Sequence, residues 1–172
     1  QPRKVRAGSL LFLNKRSRIF RIPFGVIGII APWNYPLGIP MHEIVPALLA
    51  GNTVIFKTAP ETQMVGRKIE EMIQAAGLPA DVFTHLNIPG AIIGQILLEP
   101  DHHVDKLFFT GSVPVGKTLM AKAAESLTPV SLELGGNDPM LVCPDAHLAR
   151  AVNGAMWAGL QNSGQSCGGV ER

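Results

Sequence analysis

From Phe24 onward, short apolar runs alternate with stretches of helical period, and this alternation constrains the chain more than any other feature. GVIGIIA, TVIFK, VFTHLN and KLFFT are rich in Val, Ile, Leu or Phe, and apolar runs of that length suit strands of a parallel sheet buried on both faces. Between them the periodicity predicts helices over Leu37–Ala50, Thr62–Ala76, Ala91–Glu99 and Val113–Ala124. Thr62 is the expected N-cap of the second, Gly77 its C′ residue, and Pro100 ends the third. In the second helix Val65, Ile69, Met72, Ile73 and Ala76 share one face, while Arg67, Lys68, Glu70 and Glu71 fall mostly on the other. The order β-α-β-α-β-α-β gives an α/β fold, a Rossmann-like open parallel sheet with helices on both faces.

The flanking segments read differently. Ser9 to Ile22 contains two strand-like runs, SLLFLN and RIFRI, around the charged turn Lys15, Arg16, Ser17, which predicts a hairpin or extended arm. After Pro129 the pattern predicts a strand (VSLEL), a Gly135-Gly136 pair and a second strand (PMLVC). A long helix then runs from about Ala146 to Asn162 with Asp145 as cap.

Composition excludes several classes. With 172 residues the chain is long enough to bury a core, and 47% hydrophobic with 16% charged residues describes a globular protein. A net charge of +2 does not point to a nucleic-acid partner. The basic residues Arg3, Lys4, Arg6, Lys15, Arg16, Arg18 and Arg21 are spread among apolar ones, a solvated face rather than an anion-binding arm. Cys143 and Cys167 form no disulfide framework, so a reducing, cytoplasmic setting is expected. Neither a membrane-spanning run nor a signal peptide is visible. The chain begins without Met, and further sequence is expected before Gln1.

Four places carry chemistry. Cys167 follows the last helix in a run of small and polar residues, Asn162 to Gly169, whose backbone amides can turn toward a bound oxygen. A thiol needs activation or positioning to react, and local context leaves a reactive and a structural role equally open. Cys143, in MLVCP, reads as structural. Asn34, in APWNYP at the carboxyl end of the first buried strand, offers an amide donor where open α/β sheets place ligands, or serves as an Asx-type turn residue. FTGSVPVG sets Gly111 and Ser112 before a helix N-terminus, suited to a phosphate but also to a turn without ligand. Glu133 in LELGG is a candidate general base, although a surface glutamate is the commoner fate of the type. Strand alternation puts Val130, Leu132 and Leu134 on one face and Ser131 with Glu133 on the other.

His102 and His103 stand in a polar loop without a second cluster at ligand spacing, so no metal site is expected. His42 and His85 read as packing or surface residues. Met156 and Trp157 read as core residues of the last helix in preference to the wall of a substrate tunnel.

In order and content, PFGVIGIIAPWNYP, GNTVIFKTAPET, FFTGSVPVG, SLELGGNDP and GQSCGGVER resemble the NAD(P)-dependent aldehyde dehydrogenase superfamily from about Ser9 to Arg172. The resemblance implies Cys167 as nucleophile toward an aldehyde, Asn34 and the cysteine's own N–H as oxyanion donors, and Glu133 as the base that activates the water releasing the acid. For the cofactor, NAD or NADP, it implies Lys57 at the ribose hydroxyls, Gly111 with Ser112 at the pyrophosphate and Gly116 for close approach of the helix. Trp33, Ala59 and Glu61 are implied beside them. Many NAD-preferring relatives carry a glutamate three residues after the lysine. Here that position is Pro60, with Glu61 one further along, which leaves NAD against NADP open.

The resemblance also implies a division into an arm (1–22), a cofactor-binding domain (23–132) and an incomplete catalytic-domain segment bearing the nucleophile (133–172). Family subunits begin earlier, continue well past the cysteine and form homo-oligomers. The function so implied is oxidation of an aldehyde to a carboxylic acid through a cysteine thiohemiacetal and thioester. The alternative is a nucleotide-binding or interaction module without turnover. An acylating relative that passes the thioester to coenzyme A is disfavoured by Glu133.

Overall fold

The computed structural model describes residues 3–5, 14–101 and 103–172. Five strands, β3 (Val26–Ile30), β4 (Thr53–Lys57), β5 (Phe83–Leu86), β6 (Lys106–Thr110) and β7 (Val130–Glu133), form one sheet in the order β5-β4-β3-β6-β7. Every pairing in it is parallel. Strand order reverses between β3 and β6, so the switch point of the open sheet lies between these two strands.

Helices α1 (Gly38–Leu49) and α2 (Gln63–Ala75) cover one face, where Ile27, Ile29, Val54 and Phe56 meet Ile44, Ala47, Ile69 and Ile73. On the other face α3 (Gly90–Ile96) and α4 (Val113–Ser126) bring Ile93, Leu119 and Ala123 against Ile30, Leu107 and Phe109. Alternate residues of one strand therefore feed two separate cores, which is why the runs had to be apolar throughout. Each core side chain of this size removed from water contributes roughly 1.5–3 kcal/mol. Buried Asn52 ties the sheet at its entry: its Oδ1 accepts from the Phe24 and Gly25 N–H groups and its Nδ2 donates to the Ala47 carbonyl.

Several expected details hold and others do not. Gly77, at φ +71°, is the left-handed residue that ends α2. Thr62 occupies the N-cap position, but its hydroxyl donates back to the Ala59 carbonyl and caps nothing. The SLLFLN run lies, except for Asn14, outside the described residues. Of RIFRI only Arg18 and Ile19 are in a strand, β2 (Ser17–Ile19), which pairs antiparallel with β1 (Arg3–Val5).

PMLVC forms no strand. Met140 N–H donates to the Arg172 carbonyl, but no ladder runs along the segment, and Leu141 and Val142 stay exposed. Alternating apolar character supplies no hydrogen-bond partners by itself. Cys143, expected among apolar neighbours, is exposed with them. The last helix, α5 (Leu148–Leu160), begins later than expected because Ala146 N–H closes a turn onto the Cys143 carbonyl. His147, not Asp145, then caps it, Nδ1 accepting from Arg150 N–H. Met156 and Trp157 are exposed, so the core role expected of them is not borne out among the described residues. No helix among the described residues is long and apolar enough to cross a membrane.

Candidate active site

Because the sheet is wholly parallel, every strand delivers its carboxyl end to one edge. The register sets Ile30 beside Lys57 and beside Phe109, and Thr110 beside Glu133. The loops after β3, β4, β6 and β7 consequently converge, and a cavity of about 540 Å³ opens where they meet. Trp33 and Asn34 reach it from the β3 loop, Lys57, Ala59 and Glu61 from the end of β4 and the turn after it. Gly111 and Ser112 line it after β6, Glu133 at the end of β7, and Cys167 completes it.

Ser112 is the N-cap of α4 and its hydroxyl makes no cap bond, while Pro114 occupies the first turn. The Ser112 hydroxyl and the unbonded N–H groups of that first turn are thus available to an anion in the cavity. Lys57 is buried, and desolvation pulls its ammonium below the usual lysine range, opposed by the carboxylate of Glu61. Gly116 alone among the expected site residues does not line the cavity. It is buried where α4 crosses toward β7, and a Cβ there would stand 2.8 Å from Leu134 Cδ2.

Cys167 arrives from the opposite direction. After α5 the chain turns through three left-handed residues, Asn162 (φ 51°), Ser163 (φ 58°) and Gly164 (φ 77°), a conformation that costs non-glycine residues roughly 1–2 kcal/mol each. Hydrogen bonds to the β3 loop offset that cost. Asn34 Nδ2 donates to the Gln165 carbonyl at 3.0 Å, and Asn162 Nδ2 donates to the Asn34 carbonyl at 2.9 Å. Beyond the cysteine, Val170 N–H donates to Ala158 and Glu171 N–H to Asp138. The exposed thiol is held between the β3 loop and the segment that follows β7.

A second cavity, also about 540 Å³, lies on the α1 side and is lined by Tyr35, Gly38, Ile39, His42, Glu43, Thr110, Glu133 and Cys167. Thr110, Glu133 and Cys167 belong to both cavities. Glu43 is half-buried here, and burial, reinforced by the charge of Glu133, pushes its carboxyl up to about 7. Its Oε2 and the Oγ1 of Thr110 are shielded from solvent with no partner among the described residues.

A third cavity, about 660 Å³, runs between α3 and α4 and shares Gly90, Phe109 and Val115 with the first.

Sequence reasoning did not single out Glu43 or Thr110. In sequence Glu43 is one acid in a helix and Thr110 the polar end of a strand. The available signal was spacing: Ile39, His42 and Glu43 fall on one face of α1, immediately after the PWNYP turn. His42, read as packing or surface, is exposed and borders the second cavity. His85 is a packing residue: its ring lies against Phe56, with Nε2 3.2 Å from Thr58 Oγ1 and Nδ1 3.5 Å from Glu70. His103 is exposed in its loop, Nδ1 2.9 Å from the Pro100 carbonyl, and His102 lies outside the described residues.

Comparison with known proteins places the chain in a family. A family model described as the aldehyde dehydrogenase family matches residues 3–172. A succinate semialdehyde dehydrogenase of Acinetobacter baylyi is 43% identical over 150 residues, which are 87% of this chain and 31% of that protein. An alpha-ketoglutaric semialdehyde dehydrogenase of Bacillus subtilis is 40% identical over 152 residues, 88% of this chain and 31% of that protein. The crystal structure of succinate-semialdehyde dehydrogenase from Burkholderia pseudomallei superposes with a TM-score of 0.91 at 35% identity, covering 100% of this chain and 35% of that one. The chain thus spans about a third of the length of the relatives it matches.

Proposed function

Since the chain belongs to the aldehyde dehydrogenase family, we propose that it carries the nucleophile and the cofactor site for oxidation of an aldehyde to a carboxylic acid with NAD(P)+ and water. The observation that carries this reading is the position of Cys167, Glu133 and Thr110 in the wall between two cavities. One has the features of a dinucleotide site and the other is open to a small substrate.

The residues of the first cavity fit NAD or NADP. Ser112 and the start of α4 would hold the pyrophosphate, Lys57 the adenosine ribose hydroxyls, and the cavity between α3 and α4 would take the planar base. Trp33, Ala59, Gly111 and Glu61 would wall this site, with Gly116 letting α4 pack closely behind it. Bound there, NAD(P)+ would supply the hydride acceptor. The Cys167 thiolate attacks the aldehyde carbon, and the oxygen that gains charge is met by the Asn34 amide and the Cys167 N–H, donors of a type worth roughly 3 kcal/mol. Loss of hydride leaves a thioester on Cys167. Glu133 takes a proton from water, the hydroxide oxygen bonds to the acyl carbon, and the C–S bond breaks to return the thiolate. Semialdehydes are the first substrates to test, because the curated relatives bear those names.

A second reading, cofactor binding without turnover, is favoured by one observation. The apolar residues Met156, Trp157 and Leu160 of α5 are exposed, Trp157 at 68%, so the nucleophile's supporting helix is uncovered among the described residues. Titrating the purified chain with NAD+ and NADP+, then following NAD(P)H with succinate semialdehyde beside Cys167→Ala, separates the readings. Cofactor binding is expected with either protein, and NAD(P)H only where Cys167 is present. Binding with no turnover in either favours the second reading, and absence of binding sinks both.

A further inference from the structure

Two polar atoms turned away from solvent decide what the second cavity does. Thr110 is only 6% exposed, and its Oγ1 and the Oε2 of Glu43 both lack a partner among the described residues. A buried polar atom left unmet is costly, and two of them belong to residues that line one cavity, which marks this part of the fold as a place for a polar oxygen or a proton. Glu133, the base in the reading above, lines the same cavity, as does Cys167.

Resting on that reading, we infer that Glu43 and Glu133 are a proton-sharing pair beside the Thr110 hydroxyl, in which Glu43 takes up the proton that Glu133 strips from the hydrolytic water. The balance is complete. Water loses a proton to the Glu133 carboxylate and its oxygen bonds to the acyl carbon. The Cys167 C–S bond breaks toward sulfur. The proton then passes from Glu133 to the Glu43 carboxylate and leaves on the α1 side past exposed His42.

Like charges that cannot both ionise easily are the reason the pair works. The other titratable groups bordering the cavity are His42 and Tyr35 from α1 and its preceding loop and Cys167 from the nucleophile loop. Glu43 is the one that burial and Glu133 together hold near neutrality, at about 7. Below that value Glu43 is already protonated and cannot accept. Above it the relay is open.

The step can be read without cofactor. In a Cys143→Ser background, Cys167 is acylated with p-nitrophenyl acetate and release of acetate is followed between about pH 5 and pH 9. The native rate should rise through pH 7 above the hydroxide baseline, and Glu43→Gln should abolish that rise. Glu133→Gln should likewise abolish the rise and slow release by about 100-fold above it. An unaltered rise in Glu43→Gln overturns the pairing while leaving Glu133 as base. A Glu133→Gln protein as fast as native overturns the base itself, and the pairing with it. Carboxyl ¹³C titrations supply an independent arm, in which the resonance lost in Glu43→Gln should titrate near 7 and move down in Glu133→Gln. A resonance insensitive to Glu133→Gln overturns the pairing.

Discussion

The side-chain amide of Asn34 donates to the main-chain carbonyl of Gln165 across 3.0 Å and 131 positions of sequence. An amide carries two N–H groups, and the proposed mechanism gives them two tasks. One anchors the loop that presents Cys167, and the other would meet the oxygen at the reacting carbon.

The two tasks can be separated by mutation. Asn34→Ala removes both and is expected to lower turnover of the full enzyme by about 10²–10³-fold, with faster amide exchange over residues 161–167. Asn162→Gly keeps the left-handed backbone but deletes the tie to the Asn34 carbonyl. It should speed the same exchange while lowering turnover much less. Equal losses in the two variants would assign Asn34 to anchoring alone.

Glu61 lines the first cavity, proposed above for the cofactor, and acts on the charge of Lys57. A carboxylate there opposes a second negative charge by on the order of 1 kcal/mol in a solvated site. Glu61→Gln is expected to improve NADP+ relative to NAD+ by about fivefold, read by parallel titrations. Lys57→Met should weaken both cofactors.

Gly66, on the buried face of α2, is fixed by contact. A Cβ at this position would stand 2.5 Å from His85 Nε2 and from Thr58 Cγ2. Gly66→Ala is expected to destabilise the chain by about 1–3 kcal/mol through overpacking, measured by urea unfolding. Adding His85→Ala should recover part of that loss, because the two changes share one space.

Glu43 makes stability depend on pH in a defined direction. Its carboxyl ordinarily titrates at 4.5 and in the fold at about 7. Below pH 4.5 both folded and unfolded chains hold the proton, so the full contribution is present. As pH rises toward 7 the unfolded chain ionises first, and folding loses up to roughly 3 kcal/mol. Glu43→Gln should escape this loss, so its stability relative to native should climb across that window in urea titrations. A constant difference would show that Glu43 is not held protonated.

Much of the fold was legible because strand and helix periods are local properties. Val26–Ile30 and Thr53–Lys57 are apolar on both faces whatever surrounds them, and a parallel sheet is the arrangement that buries both. PMLVC shows the limit: its pattern was right for a strand, but a strand also needs a neighbour's hydrogen-bonding groups, which the pattern does not report. Asp145 and His147 differ for a similar reason, since a turn closing onto Cys143 moved the start of α5 past the better capping residue.

The order of the elements and the residue types at the strand ends can be read from local stretches of the chain, and five ordered motifs pointed to one family. It took the folded chain to show that Asn34 reaches the cysteine loop, that Gly116 serves packing rather than the cavity wall, and that Glu43 shares a cavity with Glu133. These are relations between residues far apart in the chain. A glutamate's burial and the charge beside it are set by what folds against it, and nothing in the neighbouring letters encodes them.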